Sequence, residues 1–211
     1  LLKETLNDVR FDELERLKEL VAQMRARREN SVTSNGHALA MGVASSQMSP
    51  ASYLSYCLGG VKGIQAIKAL DDALSEKESL EEFANKLSQI HQLVKVSSRQ
   101  YLVVAETDMV ETVAEYIHES QVTPQVSDAV AFSLAPIRGM VKEAWVTSTQ
   151  VNFCAKAYPT VPIGHVDTPA LTVLGGFLKN GYLHRAIREQ GGAYGGGAGQ
   201  DSGAAAFRFF S

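Results

Sequence analysis

The stretch Ile187-Arg-Glu-Gln-Gly-Gly-Ala-Tyr-Gly-Gly-Gly-Ala-Gly199 gathers six glycines around one arginine and one tyrosine. Seven of the chain's 17 glycines fall between Gly191 and Gly203. Glycine loses more conformational freedom on folding than any other residue, and it collects where the backbone needs positive φ or another molecule comes close. A cluster this dense, directly after a helical segment, reads as a built site. The order is helix, glycines, strand. Phosphate loops run strand, glycines, helix, so that a helix N-terminus faces the anion. Here the negative end of the dipole would face the phosphate and no Lys-Ser/Thr follows, which argues against nucleotide binding.

What remains is Arg188 and Tyr194 themselves. Arginine offers a fixed fork of donors and no acceptor, and the tyrosine hydroxyl donates as well. Two such donors joined by a glycine turn suit carbonyl oxygens, of a bound peptide or of a developing oxyanion. A second reading stays open: Arg188 paired with a carboxylate and Tyr194 packed in a core.

Outward from the glycines, Thr168 and Pro169 predict a helix start, with Leu171, Leu174, Phe177 and Leu178 on one face. Asn180-Gly181 is expected to interrupt that helix before a second piece over 182–190, with Gly191 as its αL cap. Residues 204–210 read as a strand. Residues 143–158 are β-rich and contain no turn residue, so they read as one long strand or two joined by a bend, and could share a sheet with 204–210. Residues 120–134 lack periodicity and read as a linker.

The N-terminal part is mostly helical. A helix is predicted over 12–30 from the Asp12/Glu15 capping pattern and the spacing of Leu14, Leu17, Val21 and Met24, with Arg25, Arg27 and Arg28 forming a solvated last turn. A short helix follows over 39–44, and another begins at Pro50 with Ser49 as its N-cap. One more spans 61–74 with Ile64, Ile67 and Leu70 inward. Ser79 and Glu82 open a helix over 80–95 carrying Leu80, Phe83, Leu87, Ile90 and Val94 on one face. Residues 100–106 form a short β-rich run, and a last helix runs from Asp108 to about residue 119.

The chain has 211 residues and a formal charge of -3, so it lacks the basic footprint of a nucleic-acid binder. No apolar run approaches the roughly 18 residues of a membrane span. Cys57 and Cys154 are too few for a disulfide framework and fit a reducing compartment. The five histidines, His37, His91, His118, His165 and His184, form no HExxH or HxxEH pair, so the sequence offers no zinc site. His184 lies one turn before Arg188 on the same helical face. No GxSxG elbow is present, and neither cysteine sits in an activated setting. The opening at Leu1 without methionine, and the stop just after a β-rich run, are what an internal piece of a longer protein would show.

The run His165-Val-Asp-Thr-Pro-Ala-Leu through Gly181-Tyr-Leu-His-Arg-Ala-Ile-Arg-Glu-Gln-Gly-Gly-Ala-Tyr-Gly-Gly-Gly-Ala resembles the C-terminal half of the pitrilysin/insulinase zinc metallopeptidases, in their presequence-protease-like branch. Glu15-Arg-Leu-Lys-Glu-Leu-Val through His37-Ala-Leu-Ala-Met, with Met48-Ser-Pro and Gly59-Gly-Val-Lys-Gly, resembles the preceding region of the same family. The resemblance implies an α+β fold, built from parts of two α/β-roll domains with an antiparallel sheet and helices on one face. It implies residues 1–120 as part of a third domain, 121–134 as linker and 135–211 as the first part of a fourth. It implies that the whole protein degrades unfolded peptides in a closed chamber, with zinc bound by an inverted HxxEH motif in an N-terminal half that this chain lacks. Arg188 and Tyr194 match the family's substrate-holding arginine and tyrosine, with Gly192, Ala193, Gly195 and His184 beside them as substrate-binding positions. The expected partners are an unfolded peptide and the N-terminal half of the same protein, and hydrolysis by this chain alone is not expected. The compartment would be the cytoplasm in a bacterium and the mitochondrion or plastid in a eukaryote. The alternative within the family is a non-catalytic subunit, like a processing-peptidase partner or a respiratory core protein, which binds without cleaving.

Overall fold

A computed structural model of the chain describes residues 2–98, 100–119 and 133–211. Among the described residues it is an α+β structure of helices with one small antiparallel sheet. The chain divides into two compact units, one made of residues 1–21 and 71–131, the other of 22–70 and 132–211.

The first unit is helical. It holds α1 (Leu2–Asn7), the first turns of α2 (Leu14–Ser34), α6 (Lys77–Val96) and α7 (Val110–Glu119). Asp12 does not cap α2: its carboxylate accepts two bonds from the Arg10 guanidinium, at 3.0 and 2.9 Å, and the helix starts at Leu14. The other end of α2 runs on to Ser34, so Arg25, Arg27 and Arg28 lie inside the helix and not in its last turn. Arg25 is paired with Glu29 at 3.2 Å.

Helix α6 begins at Lys77, which places the predicted Ser79/Glu82 capping pattern inside it. A Lys77–Glu81 contact of 3.6 Å supports that first turn at i,i+4 spacing. Of the predicted apolar face only the first part is covered, because Leu80 and Ala84 are buried while Ile90 and Val94 are exposed. Residues 100–106 are not a strand, and Leu102 and Val104 are each 90% exposed. A β-rich run becomes a strand only beside a neighbour that completes its hydrogen bonds. The predicted linker lies outside the described residues except for 133 and 134.

The second unit carries α3 (Gly36–Ser45), α4 (Pro50–Gly59), most of α5 (Val61–Ala73), α8 (Thr168–Leu178) and the sheet. Helix α4 starts as its sequence predicts: the Ser52 amide donates to Ser49 Oγ at 3.2 Å, the Ser49 amide donates back to Ser52 Oγ at 3.1 Å, and Pro50 follows the cap. The strands are β1 (Ala155–Pro159), β2 (Gly197–Asp201) and β3 (Ala206–Phe210), in the order β1-β3-β2. Ala155 pairs with Phe210 and Pro159 with Ala206, while Gly197 pairs with Phe210 and Asp201 with Ala206. The two β-rich runs at 143–158 and 204–210 thus do share a sheet, but only through 155–159 and 206–210.

Because opposed residues point the same way, Tyr158 and Phe207 share one face with Lys156 and Phe209. That face meets Leu171, Leu174 and Leu178 of α8. The opposite face carries Ala157 and Ala206, which gather with Met48 and Ala204 into a small buried cluster. There His37 of α3 stands edge-on to Phe210, with ring centres 5.4 Å apart. A cross-strand pair, Arg208–Asp201 at 2.8 Å, closes the β2–β3 side.

Residues 143–154 form no strand, contrary to their β-rich composition. Their ties run to the helices. The Gly139 amide donates to the Gln47 carbonyl at 2.8 Å, and Glu143 Oε2 accepts from Tyr56 Oη at 3.4 Å and from Trp145 Nε1 at 2.9 Å.

Candidate substrate-backbone site

The site is built on the helix that follows α8. Asn and Gly weaken helix interiors, yet Asn180-Gly181 does not break this one. The chain passes at Lys179 from α-helix into a π-helix, Lys179–Gln190. The pair marks the change from i→i+4 to i→i+5 hydrogen bonding, which is a recurrent mark of functional segments. The π-helix carries Lys179, Arg185 and Arg188 against a single carboxylate, Glu189.

Its end also differs from the sequence expectation. Gly191 has φ of -85°, and the left-handed residue is Gly192, at φ +72°. The Ala193 amide then donates to the Ile187 carbonyl at 3.1 Å. This is a Schellman-type closure one residue wider than an α-helix would use, as the π register requires. Gly192 therefore sets the direction in which the chain leaves the helix toward Tyr194.

Neither Arg188 nor Tyr194 is absorbed by the fold. The Arg188 side chain is exposed and makes no ion pair or hydrogen bond among the described residues, and Tyr194 is 97% exposed. The reading of Arg188 as a carboxylate partner and Tyr194 as a core ring does not hold. His184 places Nδ1 3.4 Å from Glu189 Oε1. The remaining positions behave differently from one another. Ala193 is half-buried and its amide is used internally, and the Gly195 carbonyl accepts Ser211 Oγ at 3.2 Å.

Part of the glycine cluster serves packing. A Cβ at Gly196 would sit 2.9 Å from the Phe210 carbonyl and 2.9 Å from Ile187 Cδ1, so the backbone there is pressed against the sheet and the helix. Around Gly195 and Gly199, by contrast, nothing lies within 4 Å of an added Cβ. The arrangement offers two unpaired donors, one before and one after a fixed turn, above open backbone. Chemically that suits carbonyl oxygens.

Sequence reasoning missed a second feature, a cavity of about 1280 Å³ in the same compact unit, lined by Leu39, Val43, Ile64, Trp145, Val146 and Phe153 among others. Burial, and then the nearby Glu143 carboxylate, raise the Tyr56 phenol above its ordinary pKa. No motif announces this cavity, because its lining segment reads as strand. Among the described residues no group of three or more His, Cys, Asp or Glu could hold a metal ion, and no helix is long and apolar enough to cross a membrane.

Comparison with known proteins agrees with this segment's motifs. The family described as the associated region of the subfamily C peptidases of the pitrilysin/insulinase group matches residues 1–70, and the family described as "PreP C-terminal domain" matches residues 142–211. The mitochondrial presequence protease of Yarrowia lipolytica is 31% identical over 100% of this chain and 22% of its own length. That of Drosophila melanogaster is 31% identical over 94% of the chain and 19% of its own length. The chloroplastic/mitochondrial presequence protease 1 of Arabidopsis thaliana is 26% identical over 98% of the chain and 19% of its own length. The chain thus spans about a fifth of the length of the curated relatives it matches. With a family match in each half and relatives aligned along essentially its whole length, the chain belongs to the presequence-protease branch of the pitrilysin/insulinase peptidase family.

Proposed function

We propose that this chain is the substrate-holding part of the C-terminal half of a zinc metalloendopeptidase that degrades unfolded peptides in a closed chamber. Arg188 and Tyr194 bind the peptide backbone beside the scissile bond and stabilise its carbonyl oxygen. The observation that carries this reading is the freedom of both side chains, one exposed without a partner among the described residues and the other 97% exposed, across a turn that glycine fixes. A subunit that only binds partners has less need of two unpaired donors held this way, which favours the catalytic reading over the non-catalytic one.

The donor set among the described residues does not fit zinc, so the metal and its ligands belong to an N-terminal half outside this chain, the second partner of the site besides the peptide. Residues 1–120 and 135–211 are assigned to the third and fourth α/β-roll domains, with 121–134 between them. Exposed apolar side chains such as Val146, Val166 and Phe177 fit a chain that packs against further segments. The relatives' names support a mitochondrial or plastid location for this peptidase.

In the full-length enzyme, Arg188→Ala and Tyr194→Phe should each lower kcat/KM by about 10²–10³ while zinc content stays normal, the usual cost of losing one oxyanion donor. Wild-type kinetics in both variants would refute the assignment. The isolated 211-residue chain should cleave no peptide, and zinc-dependent cleavage by it would overturn the division of the site between two halves.

A further inference from the structure

The direction in which Arg188 points depends on the register of its helix. An α-helix turns about 100° per residue and a π-helix about 80°. Accumulated from Lys179 to Arg188, the difference is roughly 160°. In the α register Arg188 would leave the opposite side of the helix, so whatever holds the π register also aims the arginine.

Glu189 marks that register. It is the single carboxylate of the π-helix. In an α-helix its preferred basic neighbour would be Arg185, four residues back. The structure places it instead on His184, five residues back, with 3.4 Å between Nδ1 and Oε1. Five residues lie about 140° apart around an α-helix and about 50° apart around a π-helix, so this contact belongs to the π register. Arg185 makes no ion pair among the described residues, although it is exposed and within one α-turn of the carboxylate. The elements against the π-helix offer Glu189 nothing else. Helix α8 has no charged side chain, and Asp201 of β2 is taken by Arg208 at 2.8 Å.

We propose that Glu189 is a positioning residue for Arg188: by closing on His184 it holds the π register and so fixes the direction of the guanidinium. This rests on the reading of Arg188 as the substrate-backbone donor. The pair is exposed, with side chains 49% and 58% accessible, so its leverage is bounded. An exposed pair shifts an equilibrium by about fivefold at most.

The test is a double-mutant cycle on kcat/KM for an unfolded peptide, in the full-length enzyme, with zinc content and melting temperature measured on every variant. Glu189→Ala should lower kcat/KM about two- to fivefold at unchanged melting temperature, and Glu189→Gln, which keeps an acceptor, should recover most of it. In the Arg188→Ala background the Glu189→Ala effect should vanish, because there is no longer a guanidinium to aim. An effect of Glu189→Ala that persists unchanged in the Arg188→Ala background would overturn the proposal, since it would mean a general structural role or a direct contact with substrate. So would no effect of Glu189→Ala alongside a large loss in Arg188→Ala, and that outcome would leave the carbonyl-donor reading intact. If Arg188→Ala itself behaves as wild type, the functional reading fails first.

Discussion

Gly192 is the point at which a single methyl group tests the construction of the site. Its φ of +72° lies in the left-handed region, and nothing lies within 4 Å of a Cβ built there. Gly192→Ala therefore meets no steric obstacle, and its cost is backbone strain alone, about 1–2 kcal/mol for an L-residue held left-handed. That corresponds to a roughly 5–30-fold loss in the folded-to-unfolded ratio. Gly195→Ala is the internal control, because its surroundings are equally open and its φ is not positive. It should stay within about 0.5 kcal/mol of wild type. Gly192→Asn should fall between the two, since asparagine tolerates the left-handed region. Urea unfolding followed by the fluorescence of the single tryptophan, Trp145, reads all three. The same turn sends the chain to Tyr194, so peptide affinity in the full-length enzyme should drop for Gly192→Ala more than for Gly195→Ala. Equal stability of Gly192→Ala and Gly195→Ala would show that the left-handed turn is not what shapes this loop.

Other consequences are equally local. Ser49→Ala should lower stability by about 0.5–2 kcal/mol, with Ser49→Asn largely restoring the denaturant midpoint. It removes the α4 cap together with the bond from Ser49 Oγ to the Gly203 carbonyl at 3.1 Å. The Tyr56 phenol should titrate above the ordinary tyrosine value of about 10. The stability tied to its neutral form is then fully present below that pH and is lost as pH rises through the folded pKa. A phenolate absorbance difference titration against Tyr56→Phe measures it, and Glu143→Gln should lower the midpoint without fully normalising it, because burial is the larger cause. An unchanged midpoint in Glu143→Gln would count against the Tyr56–Glu143 contact.

The local rules of the chain were legible wherever the deciding chemistry sits within a few residues. Ser49-Pro50 starts a helix because a hydroxyl can reach an amide three positions on and proline needs no donor at the first turn. The glycine order after a helix argued against a phosphate loop, and Arg188 with Tyr194 pointed to carbonyl recognition. Where competing partners decide, the same rules misled. Asp12 had a nearer cation in Arg10 than the amides it was expected to cap. Residues 100–106 and 143–154 have the composition of strands, but a strand exists only when another backbone supplies its hydrogen bonds.

By itself the sequence determined the family, the α+β class, the pairing of the β-rich runs and the identity of the two donors, because each rests on residue types and short spacings. The tertiary structure alone decided that the helix crosses Asn180-Gly181 in a wider register, that Gly192 rather than Gly191 makes the turn, and that Arg188 and Tyr194 stay unpaired among the described residues. Register and exposure are set by what the rest of the chain brings alongside a segment, and no count along that segment contains it.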